Sequence, residues 1–347
     1  MTRPLIVIGA GPSGLHFAQT LLERGIAVTL LDAGKQRAPS ERPELDLDGL
    51  KREHADSAGY FLGREWQAFV RPDKQSEYYG MPPAKDYVFE SVPGTAVRAE
   101  GFEPLFSFAA GGLAEAWTGG AYPFTREETA SWPFDWAELH AAYGRVAKRI
   151  GISGASDDDL GDVFPAHDGL LPALPLDLHG ETLLRSYQAK RARIRERDRV
   201  RLGYARIATL SRALGERPAC HACGRCLWGC PSGAFYTPSL TLRDCLRDSR
   251  FTYRAGFIAT HLRLDAGGRA SFVVARALDD GREESLPASA VVLAAGALGS
   301  SRILLESLAR AGERVELPGL MDNRQVLMPF VNLKLVGRAF ADRKSVV

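Results

Sequence analysis

No stretch of the 347 residues approaches the length of an apolar membrane-spanning helix. The first residues show no basic segment followed by an apolar one, so we expect no secretory signal. By default the chain is then cytoplasmic, and it is periplasmic only if it is exported with a partner. Lys and Arg total 44 against 42 Asp and Glu, a net charge of +2. Neither nucleic acid nor an anionic membrane is therefore expected as the main partner.

Cysteine is scarce, and its distribution excludes a disulfide framework. There are five cysteines, and four of them fall within eleven residues, at 220–230. Glycine is abundant by contrast, with 35 residues in a chain of 347, above the usual share of about 7%. Because only glycine lets the main chain come very close to a ligand, this excess indicates several close approaches to a cofactor.

The segment 5–14, Leu-Ile-Val-Ile-Gly-Ala-Gly-Pro-Ser-Gly, reads as a buried strand, a tight turn and a helix. Gly9 permits the turn, and Gly11 lets the backbone approach a pyrophosphate. Gly14 lets the helix and the strand pack closely. This pattern predicts a dinucleotide site, although a glycine-rich turn in another kind of α/β protein is the alternative.

The helix that follows this turn supports the same prediction. Its N-terminus, where Pro12 and Ser13 lie, directs free N–H groups and the positive end of the helix dipole at the phosphates. Gly25 is expected to end the helix, and 26–31 reads as the second strand. Asp32 stands at the end of that strand, where a carboxylate can accept hydrogen bonds from both ribose hydroxyls.

The later chain favours FAD over NAD. Residues 253–276 read as two alternating strands with a turn at 266–268, and a third strand follows a turn at 279–281. Residues 290–296 then form another buried strand that ends in Ala-Ala-Gly. A β-meander that returns to the parallel sheet in this way is similar to FAD domains of the glutathione-reductase type.

We therefore predict an α/β fold with two parts. The first is a discontinuous FAD-binding domain, 1–130 and 220–310, which includes a cysteine-rich loop at 220–234. The second is a partial substrate domain, 131–219 and 311–347.

Three segments, in order along nearly the whole chain, resemble the glucose–methanol–choline (GMC) oxidoreductases. Residues 109–120 are similar to the family's Gly-Gly segment beside the pyrophosphate and the flavin ring. Residues 132–136, Trp-Pro-Phe-Asp-Trp, resemble the entry into the substrate domain, and 296–305 resemble the second family signature. The resemblance implies FAD contacts at Gly111, Gly112, Trp117, Thr118, Ala295 and Gly296.

The chain departs from the family pattern at two points. The first segment lacks a Ser-Ser-x-x-Asn ending, and the second signature continues as Glu306-Ser-Leu-Ala where Ser-Gly-x-Gly is expected. These departures point away from choline- and glucose-oxidase-like members. They point towards catalytic subunits of bacterial sugar and glycoside dehydrogenases.

Cys220, Cys223, Cys226 and Cys230, followed by Pro231, have the spacing of a bacterial ferredoxin run. This spacing predicts an iron–sulfur cluster, of the 4Fe–4S type if all four cysteines bind and of the 3Fe–4S type if one is spare. A zinc site or simple buried thiols are the alternatives. The resembling dehydrogenases carry a cluster here, which passes electrons from flavin to a cytochrome partner or small subunit.

The resemblance also implies a catalytic His, the general base for the substrate hydroxyl, in the last third of a longer chain. None of the seven histidines follows the second signature, so the catalytic residue is unknown. We expect it beyond the end of this chain, which is then a C-terminal truncation, inactive alone, with an uncovered apolar edge at 326–335.

The expected function is FAD-dependent oxidation of a CH–OH group, on a sugar or glycoside. One alternative is an alcohol or sterol oxidase of the same family without a cluster. Another is a non-catalytic flavin- or zinc-binding subunit.

Overall fold

A computed structural model describes residues 3–37, 44–66, 68, 82–102, 104–165, 167–321, 333, 336 and 337. The chain divides into two compact units. The described residues of the first lie within Met1–Ser40, Phe61–Trp117 and Thr237–Gln325, and those of the second within Glu41–Tyr60, Thr118–Tyr236 and Val326–Val347. The cysteine run belongs to the second unit, whereas the sequence analysis grouped it with the FAD-binding segments. The predicted domain boundaries remain a prediction.

The strands and helices follow one another in this order: β1 (Leu5–Ile8), α1 (Pro12–Glu23), β2 (Val28–Leu31), α2 (Leu47–Glu53), α3 (Ser57–Leu62), the 3₁₀ helices η1 (Pro83–Phe89) and η2 (Gly112–Glu115), α4 (Trp136–Ile150), β3 (Ile152–Ser153), β4 (Leu170–Leu171), α5 (Leu178–Gln188), α6 (Arg191–Asp198), α7 (Pro238–Cys245), β5 (Phe251–Arg254), β6 (Phe257–Leu264), β7 (Ala270–Ala277), β8 (Glu283–Pro287), β9 (Ala290–Leu293) and α8 (Gly296–Arg310).

The first unit is built on a four-stranded sheet in the order β5-β2-β1-β9, and every pair in it is parallel. Alternate residues of β1 enter two different cores, because successive side chains of a strand point to opposite faces. Val7 packs with Leu15 of α1 and Leu242 of α7. Ile6 packs on the other face with Val273 of β7 and Ile303 of α8. The prediction of an α/β fold with a parallel sheet is confirmed.

The predicted meander is present as the antiparallel sheet β6-β7-β8. Its first strand begins at Phe257, later than predicted, because Tyr253 belongs to β5 of the parallel sheet. Gly256, with φ at +85°, separates the two strands and donates its N–H to the carbonyl oxygen of Ala33. A run of alternating residues does not show that the chain changes sheets at such a point, which is why the boundary was misplaced.

In the second unit, local signals define the longest helix. Asp135 caps α4 by accepting a hydrogen bond from the N–H of Ala137 at 2.6 Å, and Gly151, with φ at +76°, ends it. The buried carboxylate of Asp159 binds Arg191 and Arg195 of α6 and the hydroxyl of Tyr187 in α5. These contacts attach the arginine-rich helix α6 to Asp159, where the sequence predicts only a solvent-exposed helix.

No helix among the described residues has the length and apolar character needed to span a membrane. Apart from Leu333, the apolar edge predicted at 326–335 lies outside the described residues.

Candidate functional site

The turn after β1 is built from glycines that have different roles. Gly9 has φ at +106°, and a Cβ on it would collide with the carbonyl oxygen of Ala294, just after β9. A Cβ on Gly14 would collide with the carbonyl oxygen of Gly9. Both positions therefore require glycine for the packing of the fold, whether or not a ligand is present.

Gly11 is different because its side-chain position is open. The nearest described atom to a Cβ built there is the carbonyl oxygen of Ala294, at 4.0 Å. Gly11 is the N-cap of α1 and Pro12 occupies the first turn, and no side chain among the described residues caps this helix end. A glycine at an open position beside an uncapped helix N-terminus leaves room for an anionic group, as a bound pyrophosphate requires.

Asp32 closes the same edge of the sheet at the end of β2. Its Oδ1 accepts a hydrogen bond from the N–H of Ala10 at 3.1 Å, and its Oδ2 accepts from the N–H of Gly34 at 2.9 Å. The hydroxyl of Tyr253 donates to Oδ2 at 3.2 Å. Burial raises the pKa of Asp32 to about 6, against the lowering effect of these hydrogen bonds. The carboxylate is thus oriented by one backbone N–H group at each of its two oxygen atoms.

The turn at Gly111 and Gly112 meets this loop, although it lies far away in the sequence. A Cβ on Gly112 would stand 3.5 Å from the Cα of Gly11. The turn is attached to the chain beyond Asp32 by two backbone hydrogen bonds, from Lys35 to Phe108 at 2.9 Å and from Ala110 to Lys35 at 2.8 Å. The fold therefore brings together Gly11, Asp32 and Gly112, which the sequence analysis assigned to one cofactor.

The remaining predicted residues lie at two places. Ala295 and Gly296 follow β9, which pairs in parallel with β1, so they stand at the same sheet edge as Gly9. A Cβ on Gly296 would meet nothing within 4 Å. Trp117 and Thr118 follow η2 where the chain passes from the first unit to the second, and their role in binding stays a prediction.

These residues fit a dinucleotide such as FAD. The open side-chain position at Gly11 and the backbone-held carboxylate of Asp32 supply the two kinds of group that a pyrophosphate and a ribose need. The residues lie at the carboxyl ends of the parallel strands β1 and β2, which is where ligands bind in open α/β sheets.

The four clustered cysteines line one cavity in the second unit, with a volume of about 130 Å³. Apolar side chains form the rest of its wall: Leu174, Leu176, Ile207 and Phe235. Thr209 also lines the cavity, and its buried hydroxyl has no hydrogen-bond partner in the described part of the chain. The cavity combines soft sulfur groups with an apolar wall and a buried polar atom.

Two of these sulfurs accept hydrogen bonds from the backbone. The N–H of Ala222 donates to Sγ of Cys220 at 3.3 Å, and the N–H of Phe235 donates to Sγ of Cys230 at 3.4 Å. Burial raises the pKa of the Cys220 thiol. Within the described ranges, no three His, Cys, Asp or Glu side chains form a group arranged to hold a metal ion. The four cysteines therefore share one cavity, but their sulfurs do not form a metal-ligand group as they stand.

Three residues at the first site were missed by sequence reasoning. Tyr253 was assigned to the meander, so its contact with Asp32 was not expected. Lys85 and Glu115 are both buried, at 9% and 6% exposure. Buried charges of this kind give no periodic signal, although a Glu within the apolar context of 109–117 was an available hint.

No protein-family model matches the chain. Over 310 residues the chain is 26% identical to paromamine 6'-oxidase of Streptomyces fradiae. This alignment covers 87% of the chain and 49% of the oxidase. Among solved structures, pyridoxine 4-oxidase from Mesorbium loti aligns with a TM-score of 0.44 and 17% identity, over 85% of this chain and 50% of that one. A fungal aryl-alcohol oxidase aligns with a TM-score of 0.48 and 15% identity, over 90% of this chain and 50% of the oxidase chain. The chain thus spans about half the length of the curated relative it matches.

Proposed function

We propose that this chain is the FAD-binding part of a flavin-dependent oxidoreductase of the GMC family that oxidises CH–OH groups. The observation that carries the proposal is the meeting of Gly11 with Gly112 beside the uncapped N-terminus of α1. Two glycine segments from distant parts of the sequence leave an open place where backbone N–H groups face a ligand. A pyrophosphate carries the negative charge that a helix N-terminus binds.

The residues of the chain would bind and orient the cofactor. The first turn of α1 would donate N–H groups to the pyrophosphate, and Asp32 would accept hydrogen bonds from the ribose hydroxyls. Ala10, Gly34 and Tyr253 hold the Asp32 carboxylate in place for this contact. Bound FAD would supply the acceptor for a hydride from the CH–OH carbon.

The reaction class is supported by the relative. Paromamine 6'-oxidase is by its name an oxidase, and it aligns with 87% of this chain. From it we carry over oxidation of a small-molecule CH–OH group, and we propose a sugar or glycoside as the substrate class. Since the alignment covers 49% of that protein, turnover is proposed for the complete enzyme.

Titration of the apo-protein with FAD and with NAD⁺ tests the cofactor assignment. We expect quenching of flavin fluorescence at about one FAD per chain, and much weaker binding of NAD⁺. The Gly11→Val variant should keep its fold and lose FAD. Tight binding of NAD⁺ without FAD binding, or unchanged FAD binding by Gly11→Val, would refute the assignment.

We further propose that the cysteine run accommodates an iron–sulfur cluster that takes electrons onward to a cytochrome or small-subunit partner. The proposal is supported by the cavity that all four cysteines line and by Thr209 in its wall, whose hydroxyl has no hydrogen-bond partner among the described residues. Because the sulfurs do not form a ligand group as they stand, assembly would require their side chains to turn towards a common point. The competing proposal is that oxygen reoxidises the reduced flavin directly. It is supported by the relative, which is by its name an oxidase.

Analysis of iron, zinc and acid-labile sulfide in anaerobically purified protein separates these routes. A 4Fe–4S cluster predicts iron and sulfide in equal amounts, and a 3Fe–4S cluster predicts them in the ratio of three to four; both elements should be lost in Cys223→Ser. Cys245→Ser is the matched control, because Cys245 lies in the core of the first unit and outside the run. Absence of both elements, with hydrogen peroxide formed on turnover of the complete enzyme, would establish the oxidase route. Zinc without sulfide would favour a zinc-binding subunit.

A further inference from the structure

The buried carboxylate of Glu115 connects two parts of the first unit that adjoin the predicted pyrophosphate place. Its Oε1 accepts a hydrogen bond from the N–H of Ser239 at 2.8 Å, and its Oε2 lies 3.4 Å from the Ser239 hydroxyl. Ser239 is in the first turn of α7, and the N-cap of this helix, Thr237, makes no side-chain capping bond. Glu115 therefore acts as the cap of α7 from a distant segment of the chain.

The turn before Glu115 is shaped around this carboxylate. Gly111 has φ at +100°, and a Cβ on it would collide with Oε1 of Glu115. The side-chain space at Gly111 is filled by Glu115, and Gly112 is the residue that faces Gly11. The predicted contact of Gly111 with FAD stays a prediction.

A buried cation accompanies Glu115. Lys85 of η1 is 9% exposed, and its Nζ donates a hydrogen bond to the backbone carbonyl oxygen of Glu115. Burial raises the pKa of the Glu115 carboxyl, while Ser239 and the charge of Lys85 oppose that shift. The 3₁₀ helices η1 and η2 also pack together through Val88, Ala109 and Ala116.

Buried charges of this kind contribute little net stability, because desolvation offsets their attraction. Their value lies in specifying one arrangement. Here α7 packs on α1 in the core, and Glu115 ties the N-terminus of α7 to the Gly111–Gly112 turn. The turn is thereby held at a set distance from the N-terminus of α1.

We propose that Glu115, supported by Lys85, is a positioning residue that holds Gly112 against Gly11 and so sets the affinity for the cofactor pyrophosphate. The inference rests on the proposed function of the Gly11 loop. Without the carboxylate, the turn loses its attachment to α7 and keeps its backbone hydrogen bonds to Lys35, so its distance from α1 is less closely set. Binding of the pyrophosphate then weakens, while binding of the adenosine part at Asp32 does not.

The test compares three ligands, FAD, ADP and adenosine, on the wild type and on Glu115→Ala, Glu115→Gln and Lys85→Met. We expect Glu115→Ala to weaken FAD and ADP about tenfold and adenosine less than twofold. Glu115→Gln keeps an acceptor for the Ser239 N–H and should restore ADP binding to within about threefold of the wild type. The affinity of Lys85→Met for ADP should lie between those of Glu115→Ala and Glu115→Gln. Glu306→Ala is the control, because Glu306 is an exposed partner of Arg310 on α8.

The outcomes separate this inference from the proposal beneath it. If the wild type binds FAD and Glu115→Ala binds ADP as well as Glu306→Ala does, the positioning role is overturned and the FAD assignment stands. An equal loss of ADP and adenosine binding would point to general disruption and would also overturn it. If the folded wild type binds neither FAD nor ADP, both proposals fail. If Glu115→Ala does not fold, Glu115→Gln and Lys85→Met provide the test. A ratio of ADP to adenosine affinity that equals the wild-type ratio in both variants would overturn the positioning role.

Discussion

The hydroxyl of Tyr253 donates a hydrogen bond to Oδ2 of Asp32 at 3.2 Å. Tyr253 lies in β5, and Asp32 directly follows the adjacent strand β2, where the parallel register pairs Leu30 with Tyr253. Asp32 is also held by the N–H groups of Ala10 and Gly34. The carboxylate that we assign to the ribose is thus fixed in direction before any ligand binds, which reduces the ordering cost of binding.

The affinity for FAD should depend on pH through Asp32. Burial raises the pKa of Asp32 to about 6 in the ligand-free protein. The ionised form is the better acceptor for ribose hydroxyls, so binding favours loss of the proton. Affinity should therefore fall as pH is lowered from 7.5 through 6, approaching about tenfold per pH unit below the pKa. Fluorescence titrations between pH 5 and 7.5 measure this.

The variant Asp32→Asn is the control for that titration, because it keeps the size of the side chain and has no proton to lose. It should bind FAD more weakly at pH 7.5 and show no such slope. A wild-type affinity that is flat over this range would contradict the assignment of Asp32 to the ribose.

Replacing Tyr253 with Phe should weaken FAD binding through Asp32. The change removes one hydrogen bond that orients the Asp32 carboxylate. Because this bond is present with and without ligand, the loss of binding free energy at pH 7 should be smaller than the roughly 1.5–3 kcal/mol that such a bond contributes to stability. It should also raise the pKa of Asp32 further, which moves the pH midpoint of FAD binding upwards. Tyr143→Phe in the second unit, where the hydroxyl accepts from the N–H of Phe124 at 3.3 Å, should change neither quantity.

Substitutions at Gly9 and Gly11 should separate folding from binding. Gly11→Ala and Gly11→Val point into open space, so thermal unfolding should stay close to the wild type while FAD affinity falls, more for Val. Gly9→Ala collides with the backbone at Ala294 at a positive φ, and it should lower the melting temperature of the ligand-free protein. Equal effects of the two positions on stability would contradict the different roles assigned to them.

Asp159 should make part of the stability of the second unit acid-sensitive. Hydrogen bonds from Arg191 lower the pKa of Asp159 to about 2, although burial opposes this shift. The hydrogen bond from Tyr187 also lowers the pKa. A lowered pKa in the folded state stabilises the fold above the ordinary value of 3.8. That contribution is lost as pH falls from about 4 through 2.

The variant Asp159→Asn tests this. At pH 7 it should reduce the free energy of unfolding by about 1–3 kcal/mol, the range for a buried group that loses charged hydrogen bonds. The difference from the wild type should shrink in urea unfolding at pH 3. Glu181→Gln, which changes an exposed partner of Arg185 on α5, should have a small effect at both pH values.

Local sequence signals predicted the backbone elements around the first site, and the role of these elements in cofactor binding stays a proposal. The order strand, Gly9-x-Gly11, helix and Asp32 is written within 32 residues, and the structure places those groups at one sheet edge. The second strand begins at Val28, two residues later than predicted, which is a small boundary error. The meander was also foreseen, because its turns contain Gly267, Gly268 and Gly281, which permit tight reversals.

The cysteine run shows the limit of such signals. Its spacing was enough to predict that the four residues lie together, and they do line one cavity. Whether four sulfurs point at a common centre depends on side-chain rotamers and on the walls around them. Those are set by residues such as Leu174 and Phe235, which no spacing rule includes.

What the sequence by itself determined is the local chemistry: a phosphate-type turn, an acid at the end of a strand and a set of clustered thiols. These follow from backbone freedom and from periodicity over a few residues, which neighbours in the chain decide. Only the tertiary structure decided that Gly112 faces Gly11, that Tyr253 holds Asp32, and that Glu115 occupies the space left by Gly111. These contacts join segments far apart in the chain, and they arise because burying the apolar faces of α1, α7 and the sheet leaves their polar groups only each other as partners.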